Sequence, residues 1–127
     1  MIERVDTPDA PKALGPYSQA VKAGGFLFIS GMLAIDPATG ELKGESAAEQ
    51  TVQIFKNIRA VVKEAGAKME NIVKAVVYLS DFNDFSEVNK VYASELSSSP
   101  VLPSRAAVEV TKMAKGGKVE IEVTVAL

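Results

Sequence analysis

Apolar residues recur along this chain with two different periods. From Lys118 to Val125 they alternate: Val119, Ile121, Val123 and Val125 share one face, and Lys118, Glu120, Glu122 and Thr124 share the other. That pattern predicts a half-buried strand. Arg105 to Val110 alternates more weakly, with Ala106, Val108 and Val110 against Arg105, Ala107 and Glu109. Lys115-Gly116-Gly117 lies between the two runs as a turn, so the simplest expectation is a hairpin. Opposed residues of a pair share a face, so a hairpin that buries the valines sends Arg105 and Glu120 together to the other side.

Further strands are predicted upstream. Ile2 to Asp6 reads as a short edge strand, and Ala20 to Lys22 with Phe26 to Ser30 reads as a hairpin around Gly24-Gly25. Ile72 to Ser80 is apolar on both faces except at Lys74 and Ser80, which predicts a strand inside the sheet. Two segments follow the helical period instead. Ser46-Ala47-Ala48-Glu49 is a capping box, and Val52, Phe55, Ile58, Val62 and Ala65 follow as one stripe closed by Gly66. Asp81-Phe82-Asn83-Asp84 offers caps to a second helix with the stripe Phe85, Val88, Tyr92 and Leu96. Pro8, Pro11 and Pro16 make residues 7–17 a loop. Two helices and about six strands, several in hairpins, predict an α+β fold: a six-stranded, mostly antiparallel sheet with both helices packed on one face.

Size and charge narrow the picture. With 127 residues the chain is expected to form a single domain, residues 1–127, with one core. The formal charge of −2, with Lys and Arg scattered, disfavours nucleic acid and anionic membranes as partners. No apolar run approaches membrane-spanning length and the first residues lack a signal-peptide pattern, so a cytoplasmic location is expected. The sequence has no cysteine and no histidine. Thiolate nucleophiles, thiolate zinc sites and Ser-His-Asp apparatus are therefore excluded, and no metal or other cofactor is expected. Acid-base work is left to Glu, Asp, Lys, Tyr or water.

Each candidate has a bland reading and a chemical one. Arg105 either pairs with a surface carboxylate or offers a planar fork to a substrate carboxylate. Glu120 is either a solvated strand residue or a general base whose pKa is raised by an apolar site. Tyr17, after Gly15-Pro16, either rests on the core or faces a ligand. Gly31 marks either a bulge or a close approach.

Taken together, several stretches look familiar. Gly15-Pro16-Tyr17-Ser18-Gln19-Ala20, Ser30-Gly31, Pro37-Ala38-Thr39-Gly40-Glu41, Ala65-Gly66, Pro103-Ser104-Arg105 and Val119-Glu120-Ile121-Glu122 follow in that order, with Gln50, Asn57, Asn89 and Tyr92 among them. The chain resembles the reactive-intermediate deaminase family, the RidA or YjgF-like proteins, over essentially its whole length. The resemblance implies a fold like that of the Bacillus-type chorismate mutase, a homotrimer around a central barrel with active sites in clefts between subunits. It also implies hydrolysis of 2-imino acids and their enamine tautomers, such as 2-iminobutanoate and 2-iminopropanoate, to 2-keto acids and ammonia. Arg105 would hold the substrate carboxylate and Glu120 would activate water. Tyr17, Ser30 and Gly31 would line the cleft, and the backbone N–H at Ala107 would add a hydrogen bond. On this view the two catalytic residues sit on the helix-free side of the sheet.

Three positions depart from the family pattern: Met32 where glutamine is frequent, Ala107 where cysteine is frequent, and Met113-Ala114-Lys115 for Leu-Pro-Lys. The first two are expected to alter cleft polarity and substrate range. The alternative is a non-catalytic trimer that binds 2-keto or 2-imino acids in a regulatory role. Ribonuclease activity fits the charge balance poorly, and chorismate mutase activity rests on likeness of fold alone.

Overall fold

The computed structural model describes residues 1–127. In chain order it contains β1 (Glu3–Val5), β2 (Ala20–Ala23), β3 (Phe26–Met32), α1 (Ala47–Glu64), β4 (Ile72–Leu79), α2 (Phe85–Glu95), β5 (Ser104–Glu109) and β6 (Val119–Ala126). The strands form one sheet in the order β1-β2-β3-β6-β4-β5, antiparallel throughout except for β4 and β5. Both helices cover the same face, α1 lying on β3 and β6 and α2 packing beside α1. No helix is long and apolar enough to cross a membrane.

Local chemistry accounts for the element ends. Ala23 pairs with Phe26 across Gly24 (φ 58°) and Gly25 (φ 83°), a two-residue turn that needs positive φ at both positions. The Ser46 hydroxyl accepts from the Glu49 N–H at 3.0 Å, and the Glu49 carboxylate accepts from the Ser46 N–H at 3.1 Å. At the other end of α1 the Ala67 N–H reaches Val62 O and the Gly66 N–H reaches Lys63 O, both at 3.0 Å. That is a Schellman closure, with Gly66 in the left-handed region (φ 79°). The second helix begins differently from the expectation: Asp81 caps a 3-10 turn at Phe82–Asp84, and α2 starts without a side-chain cap.

The core lies between the helices and the sheet. Ile54, Phe55, Ile58, Val61 and Val62 of α1 meet Leu27, Ala75, Val77, Ile121 and Val125 of the sheet. Val52, expected in the helix stripe, is 40% exposed; the buried face instead runs through Thr51, Ile54 and Val61. Gln50 and Asn57 are buried too, each bridging to a distant loop. Gln50 accepts from the Lys118 N–H at 2.9 Å and donates to Gly44 O at 3.2 Å. Asn57 donates to Leu33 O at 3.2 Å and Ile35 O at 2.9 Å, and accepts from Gln53 at 2.9 Å. Asn57→Ala should therefore lower stability by about 2–4 kcal/mol in urea unfolding, because two buried carbonyls lose their donor.

The expected hairpin between the last two strands does not form. β6 inserts between β3 and β4, while β5 pairs in parallel with β4 on the far side. The α2 crossover delivers β5 to that edge, as a β-α-β connection does. Register then reverses the assigned faces. Arg105 pairs with Ala75, Ala107 with Val77 and Glu109 with Leu79, all on the helix-covered face. Ala106 and Val108 pair with Val76 and Tyr78 on the bare face and are exposed.

Candidate functional site: two half-sites on opposite faces

The first half-site forms where the proline-rich loop meets the ends of β3 and β6. Its anchor is Gln19, 3% exposed. The Gln19 amide oxygen accepts from the Thr7 N–H at 2.9 Å. Its amide nitrogen donates to Thr7 O at 3.0 Å, Ala10 O at 3.3 Å and Pro11 O at 2.9 Å. One side chain thus substitutes for the secondary structure that prolines deny the loop. Tyr17 does not rest on the core. It is 51% exposed, and its hydroxyl accepts from the Leu14 N–H at 3.2 Å. Ser30 is tied back by its hydroxyl, which donates to Ser18 O at 2.6 Å, and by its N–H, which donates to Gln19 O at 2.9 Å.

Gly31 satisfies both readings offered for it. Ile29 pairs with Val123 and Met32 with Ile121, so β3 carries one extra residue between them, a bulge. A Cβ at Gly31 would stand 2.7 Å from Glu120 Oε2, so glycine is what lets the carboxylate lie against the bulged backbone. Glu120 is half-buried on the bare face. Burial pushes its carboxyl above the ordinary range, and the charge of Glu122 on the same face adds to the shift. Glu122 accepts a hydrogen bond from the Tyr78 hydroxyl, and that bond, with burial, holds the phenol protonated with its pKa pushed up to about 12. Tyr17, Ser30, Gly31 and Glu120 border a cavity of about 480 Å³.

The second half-site is built on α2 and the β5 edge. The Arg105 guanidinium donates to the Asn89 amide oxygen at 2.6 Å. Its Cζ lies 4.7 Å from the Tyr92 ring centroid and 5.3 Å from that of Phe85. Two aromatic faces and an amide hold the fork without neutralising it. No carboxylate pairs with it; the chain's ion pair is Arg59 with Glu95. Arg105 remains exposed, and beside it Asn89, Tyr92, Leu102 and Pro103 line a second cavity of about 650 Å³. The Val110 N–H donates to Leu79 O at 2.8 Å. Strand alternation then turns the N–H groups of Ala106 and Val108 toward β4, and those of Arg105 and Ala107 outward from the sheet edge. The Ala107 side chain packs inward against the core.

The expected pair is therefore split. Glu120, Tyr17, Ser30 and Gly31 gather on one side, whereas the Arg105 side chain lies on the opposite face and the Ala107 N–H points out from the far edge of the sheet. The placement of both catalytic candidates on the helix-free side is corrected for Arg105. Phe85 and Tyr92, expected only as part of the helix stripe, and Asn89, given no catalytic role, set the guanidinium; their shared α2 face with an arginine opposite was the available signal.

Comparison with known proteins follows the same lines. Residues 7–127 match the family model described as Endoribonuclease L-PSP. The chain belongs to the RidA/YjgF-like family. A RutC family protein of Sinorhizobium fredii, y4sK, is 48% identical over 100% of this chain and 99% of its own. The 2-iminobutanoate/2-iminopropanoate deaminase of Bos taurus is 48% identical over 118 residues, 93% of this chain and 85% of the bovine one. The crystal structure of YyfA, a Rid family protein of unknown function from Yersinia pestis, matches with a TM-score of 0.96 at 39% identity over the whole of both chains. In this Rid family chain the departing residues Met32 and Ala114 both border the cavity next to Glu120, and Met32 is buried.

Proposed function

We propose that the protein is a hydrolase of 2-imino acids and their enamine tautomers, 2-iminobutanoate and 2-iminopropanoate among them, releasing 2-keto acid and ammonia. The observation that carries the reading is an exposed, carboxylate-free Arg105 fork preset by Asn89, Tyr92 and Phe85. Such a fork suits a small carboxylate through two parallel hydrogen bonds. The outward N–H of Ala107 adds a third. The name of the bovine relative supports the same substrate class.

Because the two half-sites lie on opposite faces, the working site joins Arg105 of one subunit to Glu120 of its neighbour. A homotrimer closes three such junctions by one repeated contact. Phe26, Phe28 and Val108, each more than 40% exposed on the bare face, give that contact an apolar surface. Glu120, made more basic by its setting, takes a proton from water as the oxygen attacks the C=N carbon of the protonated imine. The carbinolamine collapses when that proton passes to nitrogen: the C–N bond breaks, ammonia departs with its electron pair, the hydroxyl proton passes to Glu120 as C=O forms, and Glu120 releases it to ammonia or solvent for the next turnover. Tyr17, Ser30 and the open backbone of Gly31 frame the reacting carbon. The chain's own residues supply every step, without a cofactor.

An endoribonuclease reading, suggested by the family description, has less in its favour. The chain carries a formal charge of −2, and Glu120 with Glu122 repels phosphate at the cleft. The test is a stopped-flow measurement of imine decay, with the imine generated in place by an amino-acid oxidase. Native protein should accelerate decay in proportion to its concentration. Binding of 2-ketobutyrate with no change in decay would refute catalysis and leave the regulatory alternative.

A further inference from the structure

We infer that Gln50, buried in α1 on the helix-covered side, is a positioning residue for Glu120: through the Lys118 N–H it fixes the start of β6, and with it the place and exposure of the carboxylate. The inference rests on the deaminase reading and adds to it a residue that never touches substrate. Glu120 lies where β6 is held least by its neighbours. Val119 and Glu120 pair with Leu79 and Tyr78 of β4. On the other side the β3 pairing ends with Met32 opposite Ile121, just past the bulge and short of Glu120. The strand start therefore has a ladder on one side only.

The turn before it adds little. It rests on Leu33 and Ile35 through Met113, and Gly117 comes so near Leu33 that a Cβ there would stand 2.9 Å from Cδ2. Lys118 is the fixed point. Its C=O accepts from the Ser80 N–H at 3.1 Å, on the β4 side, and its N–H donates to Gln50 Oε1 at 2.9 Å. The second bond ties this turn to a helix. Gln50 is 4% exposed, and its Nε2 donates to Gly44 O at 3.2 Å. A buried amide with both ends used holds one geometry. Without it the Lys118 N–H must find water, and the strand start opens beside Glu120. The charged and titratable groups around that carboxylate are Glu122 and Lys118 from its own chain segment, Tyr78 of β4, and Tyr17 and Lys12 of the proline-rich loop. In the proposed trimer Arg105 of the neighbour joins them. Burial is the larger cause of the raised carboxyl pKa, so admitting water lowers it.

Gln50→Met keeps the side-chain length and removes both hydrogen bonds. Gln50→Glu keeps the acceptor facing Lys118 and loses the donor to Gly44. Ile54→Val, one turn along the buried face of α1, is the control for lost packing. The full-length proteins are compared by stopped-flow imine decay at a temperature where circular dichroism shows all of them folded. Gln50→Met should lower kcat by about tenfold to a hundredfold, the scale of a displaced reacting group. Its KM should stay within about threefold of native, because the Arg105 fork is untouched. Its kcat should reach half-maximum at lower pH than native, and Gln50→Glu should recover most of the lost kcat. A readout without turnover is the titration of the Glu120 carboxyl by NMR of labelled glutamate, its signal identified by its absence from Glu120→Gln. That pKa should fall in Gln50→Met and stay in Ile54→Val. An unmoved pKa, or a loss of kcat no larger than that of Ile54→Val, overturns the inference. Gln50→Glu as slow as Gln50→Met overturns the route through Lys118. If native protein accelerates no imine, the deaminase reading falls, and the NMR titration still decides whether Gln50 sets Glu120.

Discussion

Arg105→Ala should lower kcat/KM for 2-iminobutanoate by about a hundredfold to ten-thousandfold while leaving the fold intact. Two charge-assisted hydrogen bonds are lost, each worth roughly 1.5–3 kcal/mol. The residue is exposed at a sheet edge and has no ion-pair partner, so unfolding should shift by no more than about 1 kcal/mol. Arg105→Lys should restore little, because an ammonium cannot present two parallel donors or stack between Tyr92 and Phe85. Stopped-flow decay with urea unfolding as the control measures both effects. Equal rates for native protein and Arg105→Ala would remove the carboxylate fork from the mechanism. The split geometry adds a sharper test. Arg105→Ala and Glu120→Gln chains, inactive apart, should recover about a quarter of native activity when unfolded and reassembled together, since each junction of the proposed trimer would draw one half from each neighbour.

Glu120→Gln should cost about 10²–10⁴-fold in kcat, the usual contribution of a positioned general base. The same variant should gain thermal stability at neutral pH. Burial, and then the charge of Glu122, raises the carboxyl pKa in the folded chain above its unfolded value. The folded state therefore binds that proton more tightly than the unfolded state does. The resulting stability is fully present below the ordinary carboxylate pKa of about 4.3, and it is lost as pH rises through the raised value. An amide does not ionise, so the melting temperature of Glu120→Gln should exceed that of native protein near pH 7, with the gap closing toward about pH 4. The native rate should rise with pH through the raised pKa, and the variant's residual rate should be flat there. Native turnover in the variant would show that Glu120 is not the base, and a stability advantage that grows in acid would show that its setting does not destabilise it.

Much of this could be read from residue order. The Ser46–Glu49 cap, the Gly66 closure, the Gly24-Gly25 turn and the alternation of β6 are local, and local chemistry decides them. The partner of β5 is not local. Two alternating runs joined by a glycine turn suggest a hairpin, yet the preceding helix returns the chain parallel to β4. The faces were misread for a related reason. At the uncovered edge, Arg105 and Glu109 occupy the helix side with their polar ends in solvent, so alternation no longer reports which side is the core. The buried amides were equally opaque. Gln19, Gln50 and Asn57 satisfy carbonyls or N–H groups up to dozens of positions away, and nothing adjacent to them signals it. The candidate site was legible as a residue set but not as an arrangement.

Placing the fork and the acid on opposite faces of one sheet has a kinetic corollary. Arg105 and Glu120 stand on opposite faces of the sheet within one chain, so under the proposed function turnover belongs to the assembled ring and not to a solitary chain. Specific activity must then decline on dilution toward the ring's dissociation range, by mass action, although every chain stays folded. On the same proposal, weakening the contact between copies should abolish imine hydrolysis without altering a single group that handles the imine.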